Sequence, residues 1–236
     1  MNGELISSLL KKLSMMDSTV RVRNSLLHVP NYPMDIIQKI IVDNSIYWDM
    51  QSLVVMDRYL PDNAVICDIG ANIGSHSVYW GVERNAKKVY AFEPLPEMYR
   101  VLLKNIEINN LQGVVVPHNL GLYDDYVKAS ISYYDPQNIG ATSFKADENG
   151  KFNFTKLDVI DIPERVDLLK INVQGAEVEV LWGAAKLIMN NKPVIVLTSF
   201  ERKMECEQVL LRFGYKLAET IRVNENSVYI PHVSAL

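Results

Sequence analysis

The sequence predicts an α/β fold built around a mostly parallel β-sheet. Five short apolar runs, each ending in turn residues, recur between residues 64 and 200. Segments with helical periodicity separate them, which is the rhythm of βαβ units. The first run ends in a glycine-containing turn, the kind of junction at which open parallel sheets bind ligands.

The elements follow in order. Residues 1–60 lack the strand–helix rhythm and are expected to form an N-terminal helical or cap extension; residues 61–236 are expected to form the main domain. The opening "MNGELISSLLKKLSMM" is amphipathic, but too short in its apolar stretch and too interrupted by Lys11 and Lys12 for a secretory signal. It reads as a helix packed on the domain or on a partner. "STVRVRNSLLHVP" reads as a hairpin, "MDIIQKIIVDN" and "DMQSLVVMDRYL" as helices. The strands are "AVICDIG", "KVYAFEP", "VVVPHNLG", "VDLLKINVQG" and "KPVIVLTSF". Between them, "EMYRVLLKNIEINN" repeats Met98, Leu102 and Ile106 at four, with Asn109 and Asn110 as a stop. "AEVEVLWGAAKLIMN" is expected to line one helical face with Val178, Leu181, Trp182 and Ala185. "YKLAETI" and "SVYIPH" are close enough for a closing antiparallel hairpin. The segment "VKASISYYDPQNIGATSFKADENGKF" is too long for a simple connection. It is polar, aromatic and turn-rich, so short strands with a loop over the sheet edge are expected.

Bulk properties bound the function. With 236 residues, 48% hydrophobic, 22% charged and a net charge of -4, the chain has the composition of a globular domain. It carries no strong positive field, so nucleic acid is not an expected partner. No apolar run reaches transmembrane length. Cys67 and Cys206 show neither metal spacing nor a disulfide framework, which predicts a reducing, cytoplasmic setting. A homo-oligomer is compatible with all of this.

The first strand leads into "CDIGANIGSHS". Gly70 and Gly74 let the backbone turn and approach a ligand. A nicotinamide fingerprint would need glycines at Asn72 and Ser75, and a P-loop would need Gly-Lys-Ser/Thr where the chain has Ser75-His76-Ser77. Asp68 would repel a diphosphate and suit an ammonium group. Glu93 ends the second strand, nineteen residues after Gly74, where an acid can accept from both hydroxyls of a ribose. S-adenosylmethionine, with a cationic amino-acid end and a ribose, fits both carboxylates.

Taken together these residues resemble the FkbM-type methyltransferases, S-adenosylmethionine-dependent class I enzymes. The likeness runs from about Leu60 to Tyr215. It rests on Asp68-Ile-Gly70-Ala71-Asn72-Ile-Gly74, Glu93-Pro94, Asn119 with Gly121, Asn138-Ile-Gly140-Ala-Thr-Ser143, Leu157-Asp158 and Lys170-Ile-Asn172-Val-Gln174-Gly175-Ala-Glu177. The resemblance implies a Rossmann-like class I methyltransferase fold, with a seven-stranded sheet whose last strand is antiparallel. It implies cofactor contacts from Asp68, Gly70, Ala71, Asn72, Gly74, Glu93 and Asn119. It also implies O-methylation of a small-molecule or glycan acceptor, often a sugar hydroxyl. The family pattern usually reads Lys-Ile-Asp-Val-Glu-Gly; here Asn172 and Gln174 replace the acids, and the fifth strand ends in Thr198-Ser199 rather than near a Glu.

Methyl transfer from a sulfonium is an in-line displacement, helped by positioning and, for an alcohol, by a base or a metal. Asn172 cannot be a base and is a poor divalent-cation ligand, so no metal site is expected. It can still orient a hydroxyl. His76 at a helix start, Asp158 and Glu177 are the base candidates, each with an alternative structural role as turn or helix cap. Lys170 either pairs with a carboxylate or faces the acceptor. Aromatics of "SISYYDPQN", with Tyr47 and Trp48, could stack on a sugar or pack the strands. A cofactor-binding fold without activity is the main alternative. An N-methyltransferase is another, although "INVQGAE" lacks the Asn/Asp-Pro-Pro-aromatic segment common in amino-methylating enzymes.

Overall fold

The computed structural model describes residues 18–198, 202–221 and 226–232. The expected first helix and Ser199 lie outside these. Thr19–Val22 (β1) and Ser25–His28 (β2) form the expected antiparallel hairpin. Ile36–Asn44 (α1) and Met50–Asp57 (α2) are the two helices read from the sequence. Asp35 and Asp49 cap them, each accepting a backbone N–H of the first turn.

The central sheet has seven strands: Val65–Ile69 (β3), Lys88–Phe92 (β4), Val115–His118 (β5), Leu168–Ile171 (β10), Val194–Thr198 (β11), Tyr215–Ile221 (β12) and Asn226–Pro231 (β13). Their spatial order is β12-β13-β11-β10-β3-β4-β5. Neighbours from β11 to β5 pair in parallel, and β13 runs antiparallel to both β11 and β12. This is the Rossmann-like arrangement expected, its last strand reversed.

β3 and β10 are buried at every position because helices cover both faces. Ser75–Val82 (α3) and Pro96–Ile108 (α4) pack one face, and β1–α2 joins that same hydrophobic cluster through Val22, Leu27, Ile41, Leu53 and Met56. Glu177–Gly183 (α5), Ala185–Asn191 (α6) and Lys203–Arg212 (α7) pack the other face. The expected α4 face is buried at Met98, Leu102 and Ile106, and Asn109 ends the helix. The face expected for the following helical stretch is corrected. Leu181 is buried and Val178 and Ala185 pack against the core as expected, but Trp182 is exposed, Val180 is buried in its place, and the helix breaks at Ala184 into α5 and α6. Gly183 permits the close docking there: a Cβ would stand 1.9 Å from the Tyr123 carbonyl oxygen.

The long insertion forms its own four-stranded sheet, in order β6-β9-β7-β8, from Gly121–Leu122 (β6), Val127–Tyr133 (β7), Ser143–Ala146 (β8) and Phe152–Thr155 (β9). Among the described residues no helix is long and apolar enough to cross a membrane.

Candidate functional site

A cavity partly open to solvent lies at the carboxyl ends of β3, β4 and β10. It is lined there by Ile69–Ile73, Phe92–Leu95, Lys170 and Asn172–Gln174. Ile37 and Trp48 from the N-terminal segment, and Ile139, Gly140, Thr142, Phe144 and Phe154 from the insertion, wall it in.

Local sequence explains the glycine loop. Gly70 has φ +78 and Gly74 φ +80, the left-handed region that glycine enters without strain. A Cβ on Gly70 would meet the Asn172 carbonyl oxygen at 1.9 Å, and one on Gly74 would meet Leu102 Cδ1 at 2.4 Å. The first glycine thus lets the loop lie against the end of β10, and the second lets α3 dock on α4. The Gly70 and Ala71 amides donate to the Phe92 carbonyl, tying the loop to β4. Asn72 adopts φ 51, and its amide donates to Glu93 Oε2 at 2.8 Å. The Leu95 amide donates to Glu93 Oε1, also at 2.8 Å. Glu93 is therefore fixed in direction, and each oxygen keeps an acceptor site. Burial pushes its carboxyl up to about 7, against the pull of those two amides.

Asp68 does not line the cavity and is fully buried. Lys170 Nζ stands 2.9 Å from its Oδ1, and Ser77 donates to its Oδ2 at 2.7 Å. Burial alone would raise this carboxyl, but the Lys170 charge holds it below its ordinary value. In this structure the charge partner of Asp68 is Lys170. Lys170 also donates to the Gly70 carbonyl at 2.7 Å, so its ammonium locks β10 to the glycine loop rather than reaching outward. Asn119 does not line the cavity either. Its Nδ2 donates to the Glu93 and Pro94 carbonyls and braces that turn.

Of the three base candidates, only His76 lines the cavity. Its Nε2 donates to the Trp48 carbonyl at 2.9 Å, since a carbonyl can only accept, and its Nδ1 is buried without a partner. Burial, with the nearby Lys170 charge, lowers its pKa and favours neutral imidazole. Asp158 is corrected to a capping role: its carboxylate accepts the Lys186 and Leu187 amides at 2.8 and 2.9 Å, at the start of α6. Glu177 folds back onto its own turn and accepts the Gly175 amide at 3.0 Å. Burial raises its pKa against the pull of backbone amides. Tyr47 is fully buried, bonded to Ser25 and Glu83, and so is no stacking platform; among the aromatics singled out in the sequence, Trp48 is the one that lines the cavity.

Asn172 and Gln174 both line the cavity, and Gln174 Nε2 donates to Asn172 Oδ1 at 2.7 Å. Arg202 braces the turn behind them, donating to the Gly175 carbonyl at 3.1 Å and gripping both oxygens of Glu179. Sequence reasoning missed Arg202 and Ser75, whose Oγ accepts the Trp48 amide at 3.2 Å. Ser75 follows Gly74 at a helix start, where a hydroxyl commonly bonds backbone, and that was a usable signal. Arg202 carried none. Among the described residues, no group of three or more His, Cys, Asp or Glu side chains could hold a metal ion.

An S-adenosylmethionine-sized ligand fits this chemistry. Glu93 is held at the cavity wall with acceptor capacity for two hydroxyls, Leu95, Met98 and Leu120 are apolar members of the lining, and the loop glycines permit close approach.

Residues 68–217 match the methyltransferase FkbM domain. The chain is 31% identical over 160 residues to methyltransferase sdnD of Sordaria araneosa, covering 52% of this chain and 61% of that protein. It is 28% identical over 141 residues to hexuronic acid methyltransferase AglP of Haloferax volcanii, covering 57% of this chain and 56% of that protein. It thus spans somewhat more than half the length of these curated relatives. In fold it is similar to the crystal structure of an FkbM methyltransferase from Methylobacillus flagellatus. The TM-score is 0.53 at 17% identity, over 72% of this chain and 44% of that one.

Proposed function

The chain belongs to the FkbM methyltransferase family, and from that premise we propose that it transfers a methyl group from S-adenosylmethionine to an oxygen of a carbohydrate or glycoconjugate acceptor. The observation that carries this reading is the meeting of the Gly70–Gly74 loop, the doubly held Glu93 and the Asn172–Gln174 pair around one cavity. When bound, the donor supplies an electrophilic methyl on a sulfonium. Glu93 would accept its ribose hydroxyls, and Gly70, Ala71, Asn72 and Gly74 would shape the loop against it. Asp68 and Asn119 would act at one remove, through Lys170 and through the Glu93–Pro94 turn. On the other side, Asn172 and Gln174 would orient the acceptor by hydrogen bonds, and Trp48 would wall it in. The likeness to the Haloferax protein supports a sugar-type acceptor. Much of the rate would come from positioning the acceptor oxygen in line with the methyl group.

Titration calorimetry with S-adenosylmethionine, followed by assay of S-adenosylhomocysteine release over a panel of methyl-free sugars, tests this. Binding with turnover on a carbohydrate is the expected result. Binding without turnover supports a silent cofactor-binding fold instead, and absence of binding overturns both.

A further inference from the structure

We infer that the acceptor oxygen is a carboxylate, so that the product is a methyl ester; this rests on the methyl-transfer reading above and deepens it. Among the described residues lining the cavity, the ionisable ones are His76, Glu93 and Lys170. Glu93 sits on the glycine-loop side, held by the Asn72 and Leu95 amides. The Lys170 ammonium is spent on Asp68 and the Gly70 carbonyl. His76 gives its Nε2 proton to Trp48, and its Nδ1 is buried. Glu177 and Asp158 are turned onto backbone amides. At the end of β10 an acceptor meets two neutral amides. Because Gln174 occupies Asn172 Oδ1, Asn172 keeps its N–H groups for a ligand, and Gln174 keeps its second N–H.

Neutral hydroxyls and carboxylates ask different things of such a corner. A hydroxyl must lose a proton as it takes the methyl group, and the described residues offer it only the buried Nδ1 of His76. A carboxylate needs no base. One of its oxygens forms the new O–C bond as the C–S bond breaks, the sulfonium becomes a neutral thioether, and the two opposite charges cancel with no proton moved. Amide N–H groups bind a carboxylate, whereas acids at 172 and 174 would repel it. The two isosteric replacements at the end of β10 thus select for an anionic acceptor.

The test pairs acidic sugars with their neutral counterparts, beginning with methyl glucuronide and methyl glucoside. S-adenosylhomocysteine release should be at least about tenfold faster with the acids. The product should lose its methyl group in mild alkali, and with S-adenosylmethionine saturating, so that the titration of Glu93 drops out, the rate should be flat from about pH 6 to about pH 9 because no base titrates. A second readout needs no turnover. With S-adenosylhomocysteine bound, the Asn172→Asp, Gln174→Glu double variant should weaken binding of the acidic sugar by about tenfold more than binding of the neutral one, by calorimetry. An alkali-stable ether, a preference for neutral sugars, or faster methylation by the double variant overturns the inference and leaves the methyl-transfer reading standing. Cofactor binding with transfer to no member of the panel overturns both.

Discussion

The part of the cavity lining around the glycine loop comes mainly from one stretch, Gly70 to Met98, whereas the part that ends in the amide pair draws on distant segments, with Ile37, Trp48, Ile139, Gly140 and Thr142 joining Asn172 to Gln174 in the lining. The first side is shaped by backbone. Its glycines take positive φ, and its one acid is aimed by two amides. The second is shaped by side chains that meet only after the chain has folded. A backbone-built side fixes the common ligand, and a side assembled from loops is free to vary with the acceptor.

The largest expected effect strikes the ion pair on which both sides rest. Asp68→Asn leaves the Lys170 ammonium buried without a counter-charge and should cost about 3–5 kcal/mol in urea unfolding, most of it recovered when Lys170→Met is added. A loss below about 1 kcal/mol would mean that the pair is not the common foundation.

Glycine substitutions compare the sides directly. Gly70→Ala forces a Cβ into the Asn172 carbonyl at positive φ and should cost about 3 kcal/mol. Gly175, also at positive φ but with nothing within 4 Å of its Cβ position, should lose only about 1 kcal/mol on change to Ala. Equal losses would erase the contrast.

Glu93 gives the loop side a pH signature. With the carboxyl raised from its ordinary 4.5 to about 7, folded and unfolded chains are both protonated below about pH 4.5, and its contribution to stability is then intact. Between about 4.5 and 7 the unfolded chain ionises first, so stability falls as pH rises, and the loss is complete above about 7. Thermal melts of the protein without ligand should show this decline, and Glu93→Gln should flatten it. Cofactor affinity runs the opposite way, because ribose hydroxyls donate best to the ionised form. It should strengthen as pH rises through about 7 and drop about tenfold at pH 8 in Glu93→Gln, by calorimetry. The smallest effect is at Asp158. Its change to Ala should cost about 1 kcal/mol in stability by removing the cap of α6, with unaltered affinity for S-adenosylmethionine.

The sheet and its order of elements were legible because strand and helix periodicities are local, and β3 and β10 read as buried apolar runs interrupted once each, by Asp68 and by Lys170. Glu93 and the loop glycines were legible for the same reason. The pairing of Asp68 with Lys170 was not legible because the two meet only through the β3–β10 register, far apart in the chain, and no local pattern reports that. Asp158 looked chemical because a capping acid and a catalytic acid are the same residue until the helix it caps is known. On α5 only Trp182 departed from the expected face, and the close approach of Tyr123 to Gly183, a tertiary contact, was not legible in the local pattern.

Trp48 has both backbone groups fastened to the first turn of α3, its N–H to Ser75 and its carbonyl to His76. An apparent accessory segment is thereby grafted onto the helix that opens the catalytic-type domain. Lengthening or shortening the chain between α1 and α2 would drag the cavity wall off its anchor, so this connection should tolerate insertions as poorly as a core strand does, unlike an ordinary surface loop.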